Sequence, residues 1–229
     1  MSCWNNMRGV KMPEIIITGD GSHTIYVPEL GEHYHSVHGA IQESEHIFIK
    51  CGLRSCNADS LNILEAGFGT GLNAFLTAIE ASIEKKRIQY TAIEKYPLSE
   101  PVAGKLNYKE FFPAGYSFLF DMIHSALWNR VETITDYFTL NKIECDLTEY
   151  ETVERFDLIY FDAFGPDKQP EMWTDEIFRK ISEMCSRDGI LVTYSAKGSV
   201  RRSLKGAGFD VALLPGPPGK RHIIRAVKI

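Results

Sequence analysis

The chain has 229 residues, 44% of them hydrophobic and 24% charged, with a formal net charge of −5. That balance excludes a disordered, collagenous or coiled-coil protein, and the length fits one large domain or one domain with attachments. No apolar run is long enough to span a membrane, the N-terminal MSCWNNMRGVK lacks the apolar core of a secretory signal, and five cysteines without a CxxC point to reduced thiols in a cytoplasmic setting.

Taken in chain order, residues 1–13 are expected to be disordered. Residues 14–55 read as a β extension, with strands around the turn Asp20-Gly21 in IIITGDGSHTIYV and a further strand at EHIFI. From residue 56 to 229 strands and helices alternate. LNILEA (61–66) is a buried-strand run, and Leu72, Phe75, Leu76, Ile79 and Ile83 follow at helical spacing. IQYTAIE (88–94) is the next strand. Residues 97–130 carry helical spacing, FTLNKIEC is a strand, and FDLIYFDAF (156–164) another. Trp173, Ile177, Ile181 and Met184 line a helix expected to end at Asp188-Gly189, before the strand ILVTYS. A short basic helix (198–207) precedes the strands FDVALL and RHIIRAV. This alternation implies a mostly parallel α/β sheet with helices on both faces. PGPPGK, which joins the last two strands, is too short for a parallel crossover, so those two run antiparallel.

The first parallel strand runs into Glu65-Ala66-Gly67-Phe68-Gly69-Thr70-Gly71-Leu72-Asn73. Small residues between a strand and a helix let the backbone approach a ligand, at which the helix N-terminus also points. A dinucleotide fingerprint requires Gly at position 72, where Leu stands. Glu65, just before the loop, opposes a pyrophosphate but tolerates a sulfonium and an ammonium. Glu94, at the end of the next strand, can accept both hydroxyls of a ribose. These features favour S-adenosylmethionine over NAD.

EAGFGTGLN resembles motif I of the class I, Rossmann-like methyltransferases. The longer strings TGDGSHTIYVPELGEHYHSVHGAIQESEHIF (18–48), FDLIYFDAFGPDKQPEMWT (156–174) and SVRRSLKGAGF with PGPPGKRH are similar to one family. It is the methyltransferase part of the tRNA wobble-uridine modification protein MnmC and its stand-alone relatives. The resemblance covers residues 14–227. It implies methylation, by S-adenosylmethionine, of the exocyclic amine of 5-aminomethyl-2-thiouridine in tRNA. A second, FAD-dependent activity that prepares this amine in bifunctional relatives would be supplied by another protein.

By that resemblance, Gly67, Gly69 and Gly71 lie against the methionine part of the cofactor, Glu94 holds the ribose and Asp146 stands near the adenine, although Cys145 replaces a frequent Gly before it. Asp162, at the carboxyl end of a central strand, is the candidate catalytic residue. Methyl transfer needs a neutral amine with its lone pair aimed at the methyl carbon, and a carboxylate can orient that amine and take up its proton. Phe164 and Lys168 are candidates for stacking on the uridine and for a phosphate contact. The stretch Glu32-His33-Tyr34-His35-Ser36-Val37-His38 admits a metal site, a wall of the pocket or structural histidines; the reaction itself calls for no metal.

Charge is unevenly distributed. Residues 197–229 carry +7 and the rest −12. Arg201, Arg202, Lys205, Lys220 and Arg221 therefore read as a tRNA-phosphate surface, the alternative being an ordinary solvated face. The competing readings are a methyl- or aminopropyl-transferase acting on a free small amine, for which a basic face has no use, and a non-catalytic tRNA-binding module with a relic cofactor fold. If the basic face contacts phosphates, each of Arg201→Ala, Arg202→Ala and Arg221→Ala lowers the salt slope of tRNA binding by about 0.7–0.9. Binding isotherms at graded salt check this, and a slope that no substitution changes removes the surface from the interface.

Overall fold

The computed structural model describes residues 13–229; the expectation for the N-terminus falls almost entirely outside them. Eleven strands and six α-helices follow. An antiparallel sheet is made by β1 (Glu14–Ile17), β2 (His23–Val27) and the short β3 (Glu32–His33). The main sheet contains β4 (Ser60–Ala66), β5 (Arg87–Glu94), β6 (Arg130–Thr135), β7 (Phe138–Glu144), β8 (Phe156–Phe161), β9 (Cys185–Thr193), β10 (Phe209–Pro215) and β11 (His222–Lys228). Its order is β10-β11-β9-β8-β4-β5-β7-β6. The five strands from β9 to β7 are parallel, whereas β6 pairs antiparallel with β7, and β11 antiparallel with both β9 and β10. The antiparallel final pair matches the expectation drawn from its short connection.

Strand β8 explains the layering. Leu158 and Tyr160 enter one core, Phe156, Ile159 and Phe161 the other. All five are buried, because a central parallel strand is covered on both faces. The first face is covered by α2 (Leu72–Glu84) and α4 (Ala114–Ser125), with α3 (Glu100–Ala103) beside α4. The second is covered by α5 (Asp175–Met184) and α6 (Gly198–Gly206). Helix α5 starts where the Thr174 hydroxyl accepts the Ile177 N–H, with Asp175 and Glu176 in the first turn to oppose the helix dipole.

Two expectations are corrected. EHIFI is not a strand: α1 (Ala40–Ser44) continues into a wide helical turn over Glu45–Lys50. Its Ile47, Phe48 and Ile49 are three successive buried residues, which a half-exposed alternating strand would not allow. Helix α5 stops at Met184 rather than at Asp188-Gly189, because Cys185 already pairs with Phe156 in an irregular start to β9. Residues 25–53 share one core with α2 and the sheet, so the N-terminal segment packs as part of the domain.

The site lies where the chain reverses direction across the sheet. From β4 it builds outward through β5 and β7, then returns to place β8 on the other side of β4. The carboxyl ends of β4 and β8 therefore flank a crevice open to a ligand. Phe178 of α5, buried against Phe161 and Trp173, anchors the helix layer behind it. Phe178→Ala is expected to cost about 3–5 kcal/mol and to lower Tm by roughly 10 °C in thermal unfolding.

Candidate active site

The ends of β4 and β8 bring two carboxyl groups, Glu65 and Asp162, to one side chain. Asn73, in the first turn of α2, donates one Nδ2 hydrogen to Glu65 Oε1 at 2.9 Å and the other to Asp162 Oδ2 at 2.8 Å. The opposite amide orientation would set a carbonyl oxygen against two carboxyl oxygens, so these contacts assign the amide. Asp162 Oδ1 accepts no hydrogen bond among the described residues. Burial pushes Asp162 well above the usual carboxylate range and the Glu43 charge adds to it, against the Asn73 bond and the Lys220 cation. Glu65 is fully buried and is raised by burial in the same direction.

The loop from Gly67 to Gly71 is held from three sides. Gly67 has φ +94, and a Cβ there would lie 2.9 Å from the Asp162 carbonyl oxygen. Gly69 has φ +51, with the Tyr34 ring packed against it. A side chain at either position would meet both strain and collision. His35 Nε2 meets Thr70 Oγ1 at 2.6 Å, and His124 Nε2 donates to the Thr70 carbonyl oxygen at 3.1 Å. Burial pushes both imidazoles down to about 4, with Lys142 adding to the effect at His124. Lys142 is itself buried and gives its ammonium to the carbonyls of Ile123 and His124 at 2.8 and 3.0 Å, stopping α4 beside the loop.

In front of the loop is a cavity of about 710 Å³, lined by Gly67, Gly69, Glu94, Asp146, Asp162 and Lys220 among others. That volume suits a nucleoside-sized ligand with a second group beside it. Glu94 takes the Gly69 N–H at 3.0 Å on one oxygen and the Tyr96 N–H at 2.8 Å on the other. Each oxygen keeps a lone pair for a ribose hydroxyl, so the geometry fits the cofactor. Asp146 reaches the wall with both oxygens in use: one accepts from the Thr148 N–H and hydroxyl, the other from Lys95 at 2.7 Å. Burial alone would raise Asp146, but the bonds from Lys95 and Thr148 outweigh it and hold it low.

Several candidate residues stand elsewhere than the sequence reading put them. Glu65 is not on the cavity wall; its Oε1 accepts from Asn73 behind it, and its Oε2 is buried without a hydrogen bond among the described residues. Gly71 is the left-handed cap of α2, packed under Phe68 and His124. Phe164 lines the cavity edge-on to Tyr34, with ring centroids 5.0 Å apart. Lys168 also lines it, donating to the Leu30 carbonyl at 2.9 Å. Arg201, Arg202 and Arg221 do not line the cavity, and Arg202 and Arg221 are exposed. Lys220 turns inward to Glu43. The histidines do not act as a set: His35 holds the glycine loop, while His33 packs on Tyr26. The sequence reading gave Asn73 and Glu43 no role. Asn73, two residues beyond Gly71, carried a positional signal, but Glu43 carried none, since only the folding of α1 brings it here.

Comparison with known proteins adds an independent line. Residues 123–229 match the protein family described as S-adenosyl-L-methionine-dependent methyltransferase. The tRNA 5-methylaminomethyl-2-thiouridine biosynthesis bifunctional protein MnmC of Campylobacter hominis is 34% identical over 171 residues, which cover 72% of this chain and 25% of that protein. Its namesake in Campylobacter fetus subsp. fetus is 29% identical over 219 residues, covering 93% of this chain and 35% of the relative. The chain thus spans about a quarter to a third of the length of these relatives. The crystal structure of MNMC2 from Aquifex aeolicus matches with a TM-score of 0.78 at 29% identity, over 94% of this chain and 70% of that one.

The two imidazoles on Thr70 make an acid-sensitive clamp. They stay neutral in the fold down to about pH 4, whereas a free imidazole takes its proton near 6.5. Unfolding therefore takes up protons below 6.5, so this contribution to stability is complete above 6.5 and is lost as pH falls towards 4. A His35→Gln/His124→Gln double variant is expected to lose less Tm than the wild type between pH 6.5 and 4.5; equal losses in thermal scans would assign the acid sensitivity elsewhere.

Proposed function

Since the chain belongs to the MnmC-like family of S-adenosyl-L-methionine-dependent methyltransferases, we propose that its acceptor is the primary amine of 5-aminomethyl-2-thiouridine at the wobble position of tRNA. A cytoplasmic setting goes with that substrate. The observation that carries the reading is Asp162: a half-buried carboxyl at the end of β8, on the cavity wall beside the glycine loop, with one oxygen fixed by Asn73 and the other without a hydrogen bond among the described residues. The name of these relatives concerns this modified uridine and supports the choice of amine. The second activity implied by "bifunctional" in that name is not attributed to this chain, and the reaction that supplies the aminomethyl group is assigned to another catalytic unit.

S-adenosylmethionine, when bound, supplies a methyl group made electrophilic by its sulfonium. Glu94 would hold the ribose hydroxyls, and the Gly67–Gly69 backbone would lie against the rest of the ligand. Phe164 and Tyr34 form an aromatic edge on which a uracil ring can stack. An alkylamine arrives largely as an ammonium. Asp162 Oδ1 accepts its proton, a transfer favoured by the raised affinity of this carboxyl for protons. The neutral nitrogen then turns so that one of its remaining N–H groups donates to the Asp162 carboxyl, which frees its lone pair and directs it at the methyl carbon. Asn73 prevents Asp162 from rotating away.

Asp162→Asn keeps the shape but cannot accept the proton. Its turnover is expected to fall by about 10²–10⁴, with binding of S-adenosylhomocysteine retained in calorimetry; unchanged turnover would remove Asp162 from the mechanism. The reading as a whole is tested by labelled S-adenosylmethionine with undermodified tRNA and nucleoside mass analysis. The expected product is the aminomethyl nucleoside heavier by one methyl group. Label on spermidine in place of tRNA would transfer the assignment to a small-amine enzyme.

A further inference from the structure

The basic C-terminal stretch contributes one cation to the interior of the site. In the loop between β10 and β11 the Lys220 N–H donates to the Pro217 carbonyl at 2.9 Å, and the Gly216 N–H to the Arg221 carbonyl at 3.1 Å. This double turn points Lys220 back over the cavity, its ammonium 4.7 Å above the Tyr194 ring. There it faces Glu43 Oε1 at 3.4 Å. The contact is too poorly aligned for a hydrogen bond, and Glu43 Oε1 has no hydrogen-bond partner among the described residues. The other oxygen of Glu43 is held by the Ser36 N–H at 2.8 Å. The Glu43 side chain is 10% exposed and that of Lys220 28%.

The acceptor end of the cavity thus carries two carboxyl oxygens without a protein hydrogen bond, Glu43 Oε1 and Asp162 Oδ1, on elements distant in sequence. A cation stands beside them. Glu43 and Lys220 both act electrostatically on Asp162, in opposite directions. Tyr194 is also here, its hydroxyl donating to the Ala163 carbonyl at 2.8 Å. Glu32, His38 and Lys168 lie on the same wall, and Glu65 lies behind Asn73.

Resting on the reading of the acceptor as an alkylamine, we propose that Glu43 is a second catalytic carboxylate, which binds the incoming ammonium together with Asp162, and that Lys220 is a positioning residue whose charge drives off the acceptor's proton. An ammonium between the two carboxylates keeps a hydrogen bond to each. The proton it shares with Asp162 Oδ1 passes to that oxygen, the nitrogen keeps the electron pair, and the amine pivots on its hydrogen bond to Glu43 to aim that pair at the methyl carbon. Two carboxylates alone would hold the amine protonated and therefore unreactive. A lysine ammonium beside them disfavours a second positive charge, so the acceptor loses its proton at lower pH. Glu43 is thereby an anchor for the substrate, and Lys220 leaves it when the substrate arrives. This accounts for an ion pair with poor hydrogen-bond geometry in an enclosed site, and for a lysine directed away from the solvent-facing Arg221.

The test is the pH dependence of kcat with undermodified tRNA at saturating S-adenosylmethionine, for the wild type, K220Q, K220R and E43Q. Affinity for S-adenosylhomocysteine, measured by calorimetry, reports an intact fold and donor side. K220Q is expected to move the acid limb of kcat upward by about one pH unit, while K220R leaves it in place. E43Q is expected to raise KM for tRNA about tenfold or more with S-adenosylhomocysteine affinity unchanged. An acid limb that stays put in K220Q, or a K220Q defect confined to salt-sensitive tRNA affinity, overturns the proposal. If K220Q binds S-adenosylhomocysteine poorly, K220M takes its place; failure of both to bind it assigns Lys220 a structural role and also overturns the proposal. A wild type that methylates no tRNA refutes the acceptor reading, and this inference with it. A wild type that does, with an unmoved K220Q limb, refutes the inference alone.

Discussion

One amide organises this site. Asn73 Nδ2 spends its two hydrogens on the carboxyl groups at the ends of adjacent strands β4 and β8. Burial pushes both carboxyls towards the protonated form, and the Asp162 charge adds to the shift of Glu65. Placing the deeper group, Glu65, out of solvent leaves Asp162 as the member of the pair on the cavity wall. Because Asn73 sits in the first turn of α2, the position of Asp162 is tied to the glycine loop that precedes that helix. Asp162 and the glycine loop are therefore a single rigid unit.

The segment before the Rossmann-like sheet completes that unit. Its Tyr34 packs on Gly69, its His35 holds Thr70, and its Glu43 reaches the acceptor end. From the other end of the chain, the loop after β10 brings Lys220 to the same place. The central sheet provides a generic crevice, and the two terminal regions turn it into a cavity with a defined charge arrangement. This division fits the general rule that a common fold acquires its chemistry from what is grafted at its strand ends.

Fold class was legible because its signals are local. Continuous apolar strands, helical spacing and a six-residue final connection lead to a parallel sheet with an antiparallel end, and that is the sheet found. Errors fell where local pattern is ambiguous. A short apolar run such as EHIFI suits a strand or a buried helical turn equally, and only packing against α2 decides between them. The end of α5 was misplaced because Asp188-Gly189 is a turn signal within the irregular start of β9 rather than a helix stop.

By itself, the sequence determined the strand–glycine loop–helix, the carboxyl-end positions of Glu94 and Asp162, and the family, since these reside in contiguous strings whose spacing carries their geometry. Tertiary structure alone decided that Glu65 works from behind through Asn73, that the histidine-rich stretch clamps the glycine loop, and that one lysine of a basic tail faces inward while its neighbour Arg221 faces out. Those facts depend on which side chains meet across distances of tens to more than a hundred residues. Charge counted along a chain gives its sign, whereas the direction of each side chain is set by the turn that carries it.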